Sequence, residues 1–211
     1  MHNKIDHFAI GAADLDQGVA ALQGALGVTV PRGGKHAAMS THNCVMQAGG
    51  ESFLEIIAID PEAPPPGRRR WFTLDDPATQ SRLSLRPRAL CWVVGTDSLD
   101  EIVAKSPIDL GEVVPFSRGD RSWRLTVPSD GSLPEGGLLP AFIEWSPGPH
   151  PSSGMQDLGV VLQRVTLTHP EPETLRALLH ALRVDHLAVV EEGPRRLAFV
   201  LDTPRGEVTL D

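Results

Sequence analysis

Two histidines occur where an imidazole could take part in acid–base chemistry. His36 and His42 lie just before and on a predicted strand, THNCVMQAGG. An imidazole that faces a cavity from a strand can act as a general base or as a hydrogen-bond donor near neutral pH. The alternative is a histidine that is merely solvated at an edge, and the pattern alone leaves both interpretations open.

A second group of candidates lies between residues 123 and 150. Arg124, next to Trp123, could bind a carboxylate or phosphate through two parallel hydrogen bonds. A salt bridge to Glu55 or Glu144 accounts for Arg124 equally well. His150 either closes the mouth of a site or caps a strand, whereas Trp92 and Trp145 are interpreted as core residues.

Other classes of chemistry find no support in the chain. It contains neither a Gly-x-Ser-x-Gly nucleophile motif nor a glycine-rich phosphate loop, and its two cysteines, Cys44 and Cys91, lack Cys-x-x-Cys spacing.

A net charge of −8 argues against binding to nucleic acid. The amino terminus does not resemble a secretory leader, and no window approaches the ~18 to 20 apolar residues of a membrane span. We therefore expect a cytoplasmic protein that does not bind membranes.

The elements that must position these residues follow a regular order. Residues 4–10 alternate as a half-buried strand does, and Asp14 then precedes an amphipathic helical pattern. Two strands within residues 41–60 are joined by Gly49 and Gly50, which favours a hairpin. The Pro- and Arg-rich stretch over 61–81 predicts an exposed connection with a short helical turn near Trp71.

This order then repeats. Residues 7–16 align with residues 91–100 without a gap, and FLEI at 53–56 aligns with FIEW at 142–145, so Glu55 falls on Glu144. A third copy begins near Leu162. The prediction is an α+β fold of three βαβββ-like units. Residues 1–155 form one domain, with module one at 1–62, a connection at 63–86 and module two at 87–155, and residues 156–211 form a partial third module.

The residues of both modules carry a family resemblance. The pieces THN at 41–43, FLEIIAID at 53–60, SWRLTVP at 122–128, LPAFIEW at 139–145 and PHPSSG at 149–154 resemble the bacterial glyoxalase-like domain family of the vicinal-oxygen-chelate superfamily. The resemblance implies that two modules pair into a cupped, open β-barrel with the ligand site inside the cup. It implies the architecture more firmly than any reaction.

The resemblance also implies a metal site. In the superfamily the first and last strands of each module supply the ligands, which places His7, Glu55 and Glu144 here as candidates for binding Zn, Mn, Fe or Ni. Cys91 stands where a second histidine is usual, and only a thiolate would bind the metal. One divalent metal ion and none are therefore equally consistent with the sequence.

Two functions remain open for the cup. The first is an enzyme of lyase, isomerase or dioxygenase type that acts on a small oxygen-rich molecule, with the catalytic residues His42, Glu144 and Arg124 and the substrate-binding residues His36, Cys91, Trp123 and His150. The second is a metal-free protein that binds or sequesters a small molecule. In addition, the unmatched third unit leaves strand edges that a homodimer would cover.

Overall fold

The computed structural model describes residues 3–211. The first part of the chain contains β1 (Lys4–Gly11), α1 (Leu15–Leu26), β2 (Arg32–His36), β3 (Thr41–Gln47), β4 (Phe53–Ile59), α2 (Pro77–Leu85), β5 (Arg88–Gly95), α3 (Leu99–Lys105), β6 (Glu112–Arg118), β7 (Arg121–Val127) and β8 (Ala141–Trp145). The second part contains β9 (Val161–His169), α4 (Pro172–Ala181), β10 (Ala188–Glu192), β11 (Arg196–Thr203) and β12 (Gly206–Leu210). None of the helices within residues 3–211 is long and apolar enough to cross a bilayer.

The residues at both ends of helix α1 explain where the helix begins and ends. The Asp14 side chain accepts a hydrogen bond from the backbone N–H of Gln17 at 2.7 Å, which satisfies one of the unpaired donors of the first turn. Gly27, with φ of 77°, ends the helix in the left-handed conformation that glycine tolerates best. Between these ends Leu22 and Leu26 are buried against the sheet. The helix predicted after Asp14 is confirmed.

The first eight strands form one curled sheet with the order β2-β3-β4-β1-β5-β8-β7-β6. Strands β1 and β5 pair antiparallel at its centre, and each pairs in parallel with the last strand of its own module, β4 and β8. Counted from each edge of the sheet to its centre, the strands of the two modules therefore follow the same order. The predicted pairing of two βαβββ modules into a cupped sheet is confirmed.

Alternate side chains of the sheet face two different cores. One face packs on α1, α3 and the C-terminal sheet and buries Phe8, Trp92 and Phe142. The other face lines the concave side and buries Ile57 and Val93 together with side chains of the 61–76 connection. Because strand side chains alternate in direction, the parity of a residue within its strand decides whether it can reach the cup.

The C-terminal unit has the predicted βαβββ element order, but its strands pair differently. The sheet order is β10-β9-β11-β12, with β10 parallel to β9 and β11 antiparallel to it. In module one the first strand instead lies beside the last. The unit packs on the outer face of the large sheet, where the rings of Phe8 and Phe199 lie 4.6 Å apart.

The connection between the modules is exposed only in part: each residue within 61–70 is exposed or half-buried, but at Trp71, Phe72 and Leu74 the prediction of an exposed segment was wrong. Trp71 and Phe72 are each only 4% exposed, and Leu74 is completely buried. These apolar side chains pack into the concave core. The free energy gained by burying them is sufficient to bury this part of the segment, although its neighbouring residues are polar. The helix of this segment begins at Pro77, after the Asp76 cap, and not near Trp71.

Candidate functional site

A cavity of about 50 Å³, or about 510 Å³ with the open space at its mouth, opens to solvent on the concave side of the large sheet. Its walls come from both modules and from the connection: His7, His36, Asn43, Val45, Phe53, Glu55, Trp71, Phe72, Arg118, Trp123, Leu125, Ile143, Trp145, Pro151 and Met155. We call this cavity the cup. The titratable groups of its wall come almost entirely from module one, and module two supplies mostly apolar side chains.

A second, larger opening of about 1350 Å³ lies between α2 and the C-terminal unit. Two arginines of its lining are already paired there, Arg195 with Glu135 and Arg196 with Asp211. The cup is therefore the stronger candidate, because its lining includes imidazole and carboxyl groups that face each other across open space.

The polar side chains at one part of the cup are Asp6, His7, His36, Asn43 and Glu55, which we call the polar wall. Asp6 forms the largest number of hydrogen bonds to ring donors in this group. The register of β1 against β5 shifts between Ile5 and His7, so Asp6 is an extra residue in the ladder and points toward the same end of the cup as His7. Its carboxylate receives three donors: His7 Nδ1 at 2.6 Å, Trp145 Nε1 at 2.7 Å and His150 Nε2 at 2.9 Å. Burial raises the pKa of Asp6, but the hydrogen bonds from His150 and His7 outweigh it and lower that pKa to about 2.

These contacts fix the protons on both imidazoles. Because the Asp6 carboxylate can only accept, His7 carries its proton on Nδ1, and its Nε2 lone pair faces the cup. His150 accepts the backbone N–H of Ser152 at its Nδ1, at 3.3 Å, so its Nε2 carries the proton that it donates to Asp6. His150 and Trp145 thus hold Asp6, and Asp6 orients His7.

The carboxyl group of Glu55 faces His7. Its Oε2 lies 3.7 Å from His7 Nε2, too far for a direct hydrogen bond and close enough for both atoms to contact one substrate group. Its Oε1 accepts a 2.6 Å hydrogen bond from Asn43 Nδ2. Asn43 is itself oriented, since its Oδ1 accepts the backbone N–H of Gly34 at 2.8 Å. Glu55 is therefore held in place from the side away from His7.

His36 completes the polar wall. Its Nε2 lies 3.9 Å from Glu55 Oε1, and its Nδ1 lies 3.0 Å from the Thr41 hydroxyl. Burial lowers the pKa of His36 to about 4, although the charge of Glu55 acts in the opposite direction. His36 is consequently neutral at neutral pH.

Aromatic side chains form much of the rest of the lining, and Phe116, which does not line the cavity itself, packs between Trp71 and Trp123. Adjacent ring centroids lie 5.2 Å apart for Trp71 and Phe116, 5.8 Å for Phe116 and Trp123, and 5.1 Å for Trp123 and Trp145. On the opposite side Phe53 stacks on His7 at 4.6 Å with an interplanar angle of 15°. We call Phe53, Trp71, Phe116, Trp123 and Trp145 the aromatic belt.

Arg118 is the cation of the cup lining. It lies at the end of β6, is exposed, and passes over Gly34 of module one. Within residues 3–211 its guanidinium group forms no hydrogen bond or ion pair, and it acts on His36 only through its charge. It is therefore free to receive an anionic group of a molecule in the cup.

The structure brings together several of the residues predicted from the sequence. His7, Glu55, His36 and Trp123 line the cup, and His150 lies behind Trp145. Trp92 is buried in the outer core, as expected. Trp145 is partly buried against the concave core, and its ring also lines the cup.

Glu144 and Arg124 lie on the opposite face of the sheet. Arg124 pairs with both Glu144 and Asp100 there, and Glu144 also accepts the backbone N–H of Leu99 at 3.4 Å. Neither side chain lines the cup. The expected salt bridge to Glu144 exists, outside the cup.

The alignment of Glu55 with Glu144 was wrong by three residues. Ala9 pairs with Glu55, and its counterpart Val93 pairs with Ala141. An odd slip in register turns a strand side chain to the other face of the sheet. The counterpart of Glu55 is thus Ala141, so module two does not bring a carboxylate to the cup at this position.

His42 and Cys91 also fall outside the open cavity. His42 shares its strand with Asn43, and because side chains alternate, Asn43 faces the cup and His42 does not. Cys91 is completely buried in the concave core, and burial, assisted by the charge of Glu55, raises its pKa well above the ordinary value. Burial therefore disfavours the thiolate form of Cys91.

The donor set does not fit the metal site of the superfamily. The predicted ligands His7 and Glu55 face each other, but Glu144 is on the other face of the sheet. Among residues 3–211 no group of three or more His, Cys, Asp or Glu side chains is arranged to hold a metal ion. We therefore derive the chemistry of the cup from its own side chains.

Sequence reasoning did not single out Asp6, Asn43, Arg118 and Trp71. Asp6 and His7 are consecutive polar residues in an otherwise apolar strand, which is a signal of a bulge. Strand alternation could have favoured Asn43 over His42. Arg118 and Trp71 offered no comparable signal, because their positions depend on long-range packing.

Comparison with known proteins agrees with this architecture. The family model described as a glyoxalase-like domain matches residues 5–183, so the chain belongs to the glyoxalase-like domain family. No functionally curated protein matches the chain in sequence.

Solved structures are similar to this chain at low sequence identity. A hypothetical protein from Staphylococcus aureus superposes with a TM-score of 0.62 at 13% identity, covering 99% of this chain and 84% of that chain. Methylmalonyl-CoA epimerase from Mycobacterium tuberculosis gives a TM-score of 0.45 at 15% identity, covering 72% of this chain and 92% of that chain. At such identities the first likeness establishes a common fold and does not extend to activity.

Proposed function

We propose that this chain is an enzyme of lyase or isomerase type that moves a proton on a small, oxygen-bearing molecule held in the cup. The observation that carries the proposal is the alignment of Asp6, His7 and Glu55, with 2.6 Å between Asp6 and His7 and 3.7 Å between His7 and Glu55. An oriented imidazole opposite a carboxyl group is a recurring arrangement for general acid–base catalysis.

In this proposal His7 Nε2 removes a proton from a carbon atom next to a carbonyl group. Asp6 keeps the lone pair on Nε2 and stabilises the imidazolium that forms, as the carboxylate of a catalytic triad does. Glu55, held by Asn43, exchanges a proton with a neighbouring oxygen or carbon atom of the same substrate group. Proton removal and return are both supplied by this chain, and no electron acceptor is required.

The test is proton exchange in deuterated buffer. Wild-type protein is incubated with a panel of small 2-oxo acids and ketones, and loss of the C–H signal next to the carbonyl is followed by proton NMR. We expect exchange that His7→Gln abolishes and that Asp6→Asn slows about a hundredfold through loss of the oriented tautomer. His186→Gln, at an exposed histidine far along the chain from the cup residues, is the matched control. Exchange that survives in His7→Gln would contradict the assignment.

The mainly apolar wall of module two favours a second candidate, a protein that binds a small molecule without converting it. Trp123, Leu125 and Ile143 contribute neither an acid nor a base to the cup. A bound compound that raises the melting temperature without any proton exchange would favour this alternative.

A further inference from the structure

The aromatic residues of the chain are concentrated at the cup. The sequence contains four tryptophans, six phenylalanines and no tyrosine, and three of the four tryptophans belong to the aromatic belt. A core of this size can be filled with aliphatic side chains, as the outer core largely is. Flat rings around an open cavity instead favour a flat ligand, because stacked and edge-to-face ring contacts add to simple area burial.

The charged groups of the lining indicate how a ligand would be oriented in the cup. Among the described residues, Arg118 presents a guanidinium group without a partner at the exposed end of β6. Glu55 and His7 face each other elsewhere on the lining, and Trp145 shares the Asp6 carboxylate with His7. The Asp6 charge is already satisfied by three ring donors, so it does not select a cationic ligand. An anionic group is therefore favoured at Arg118, with the reacting atoms toward His7.

From this juxtaposition we propose that the cup takes an arylcarboxylate, a planar ring bound within the aromatic belt with its carboxylate paired to Arg118. The proposal rests on the cup being the functional site, as the proposed function also requires, but it concerns binding alone.

Three small compounds distinguish the contribution of the planar ring from that of the carboxylate charge. Phenylacetate carries both a ring and a charge, phenylacetamide lacks the charge, and cyclohexylacetate lacks the planar ring. By isothermal titration calorimetry we expect phenylacetate to bind about tenfold more tightly than either relative, since a charge-assisted pair and a set of ring contacts each supply on the order of 1 kcal/mol.

Two variants assign each preference to its residue. Arg118→Gln should remove the preference for phenylacetate over phenylacetamide and keep the preference for the planar ring. Arg121→Gln, the same change of charge at the other end of the β6–β7 turn and outside the cup lining, should change neither preference. Trp123→Leu should remove the preference for the planar ring, and Trp123→Phe should retain it, which distinguishes ring contacts from a general disturbance of the fold.

Equal affinity for phenylacetate and cyclohexylacetate would overturn the proposal, as would tighter binding of the cation benzyltrimethylammonium. Failure of all three probes to bind below ~10 mM would overturn it as well. The two proposals fail separately: ring and charge preferences in a wild-type protein that shows no proton exchange would support the ligand class and contradict the enzymatic function.

Discussion

Replacement of Asp6 by asparagine gives the sharpest test of the polar wall, because this carboxylate is buried and holds three rings. Its pKa is lowered from 3.8 to about 2 in the folded chain. A depressed carboxyl pKa stabilises the fold above the unfolded value, and the contribution is lost as the pH falls through the folded value. The difference corresponds to about 2.5 kcal/mol at neutral pH, of which about half remains at pH 3.

Urea unfolding of wild-type protein and Asp6→Asn over a pH series measures this contribution. We expect Asp6→Asn to lower the free energy of unfolding by about 2.5 kcal/mol at pH 7, with the gap closing toward pH 2. His7 and His150 face Asp6 and also bind protons in acid. The difference in free energy of unfolding between wild type and Asp6→Asn is therefore compared below about pH 4, where an imidazole is ordinarily charged.

Asp120→Asn is the control, because Asp120 is an exposed carboxylate in the β6–β7 turn. It should change the free energy of unfolding by less than about 0.5 kcal/mol at every pH. A loss that small in Asp6→Asn at pH 7, or a larger loss that stays constant down to pH 2, would refute the reasoning about the three-donor carboxylate.

Three further predictions address other parts of the molecule. Glu144→Gln should cost less than about 1 kcal/mol in urea unfolding and leave phenylacetate binding unchanged, because its pair with Arg124 is on the outer face; impaired binding would contradict that placement. Phe199→Ala should destabilise the chain by about 3–5 kcal/mol by opening a cavity against Phe8, and a loss below about 1 kcal/mol in the same assay would show that the C-terminal unit is not packed on the large sheet. The ring C–H signals of His36 should stay constant in proton NMR between about pH 7 and about pH 5 and shift only near the lowered pKa of about 4; a midpoint near the ordinary 6.5 would contradict its burial.

The βαβββ order of the chain could be predicted from local patterns. Asp14 and Gly27 mark the ends of α1, and the recurrence of the strand–helix pattern at residues 91–100 predicts a second module. These features depend on residues close in sequence, so hydrophobic periodicity and capping are sufficient to find them. His7 and Glu55 both line the cup, and both lie on strands whose position in the module is regular.

The errors arose where one residue of register or a long-range contact decides the outcome. Glu144 matched Glu55 in sequence, but three residues of slip place it outside the cup, beside Arg124. Trp71 lies in a segment of polar composition, yet it packs in the concave core. Neither outcome is encoded in residues nearby in the chain, since strand pairing and core packing join segments far apart in sequence.

By itself, then, the sequence determined the modules, their element order and the presence of His7 and Glu55 on the strands of module one. Only the tertiary structure decided which side chains share the cup: Asp6 through a bulge in β1, Asn43 through strand alternation and Arg118 through the approach of β6 to β2. The physical reason is that a strand pattern specifies two faces and leaves the register to the packing of the whole sheet, and the register selects the face that meets the ligand.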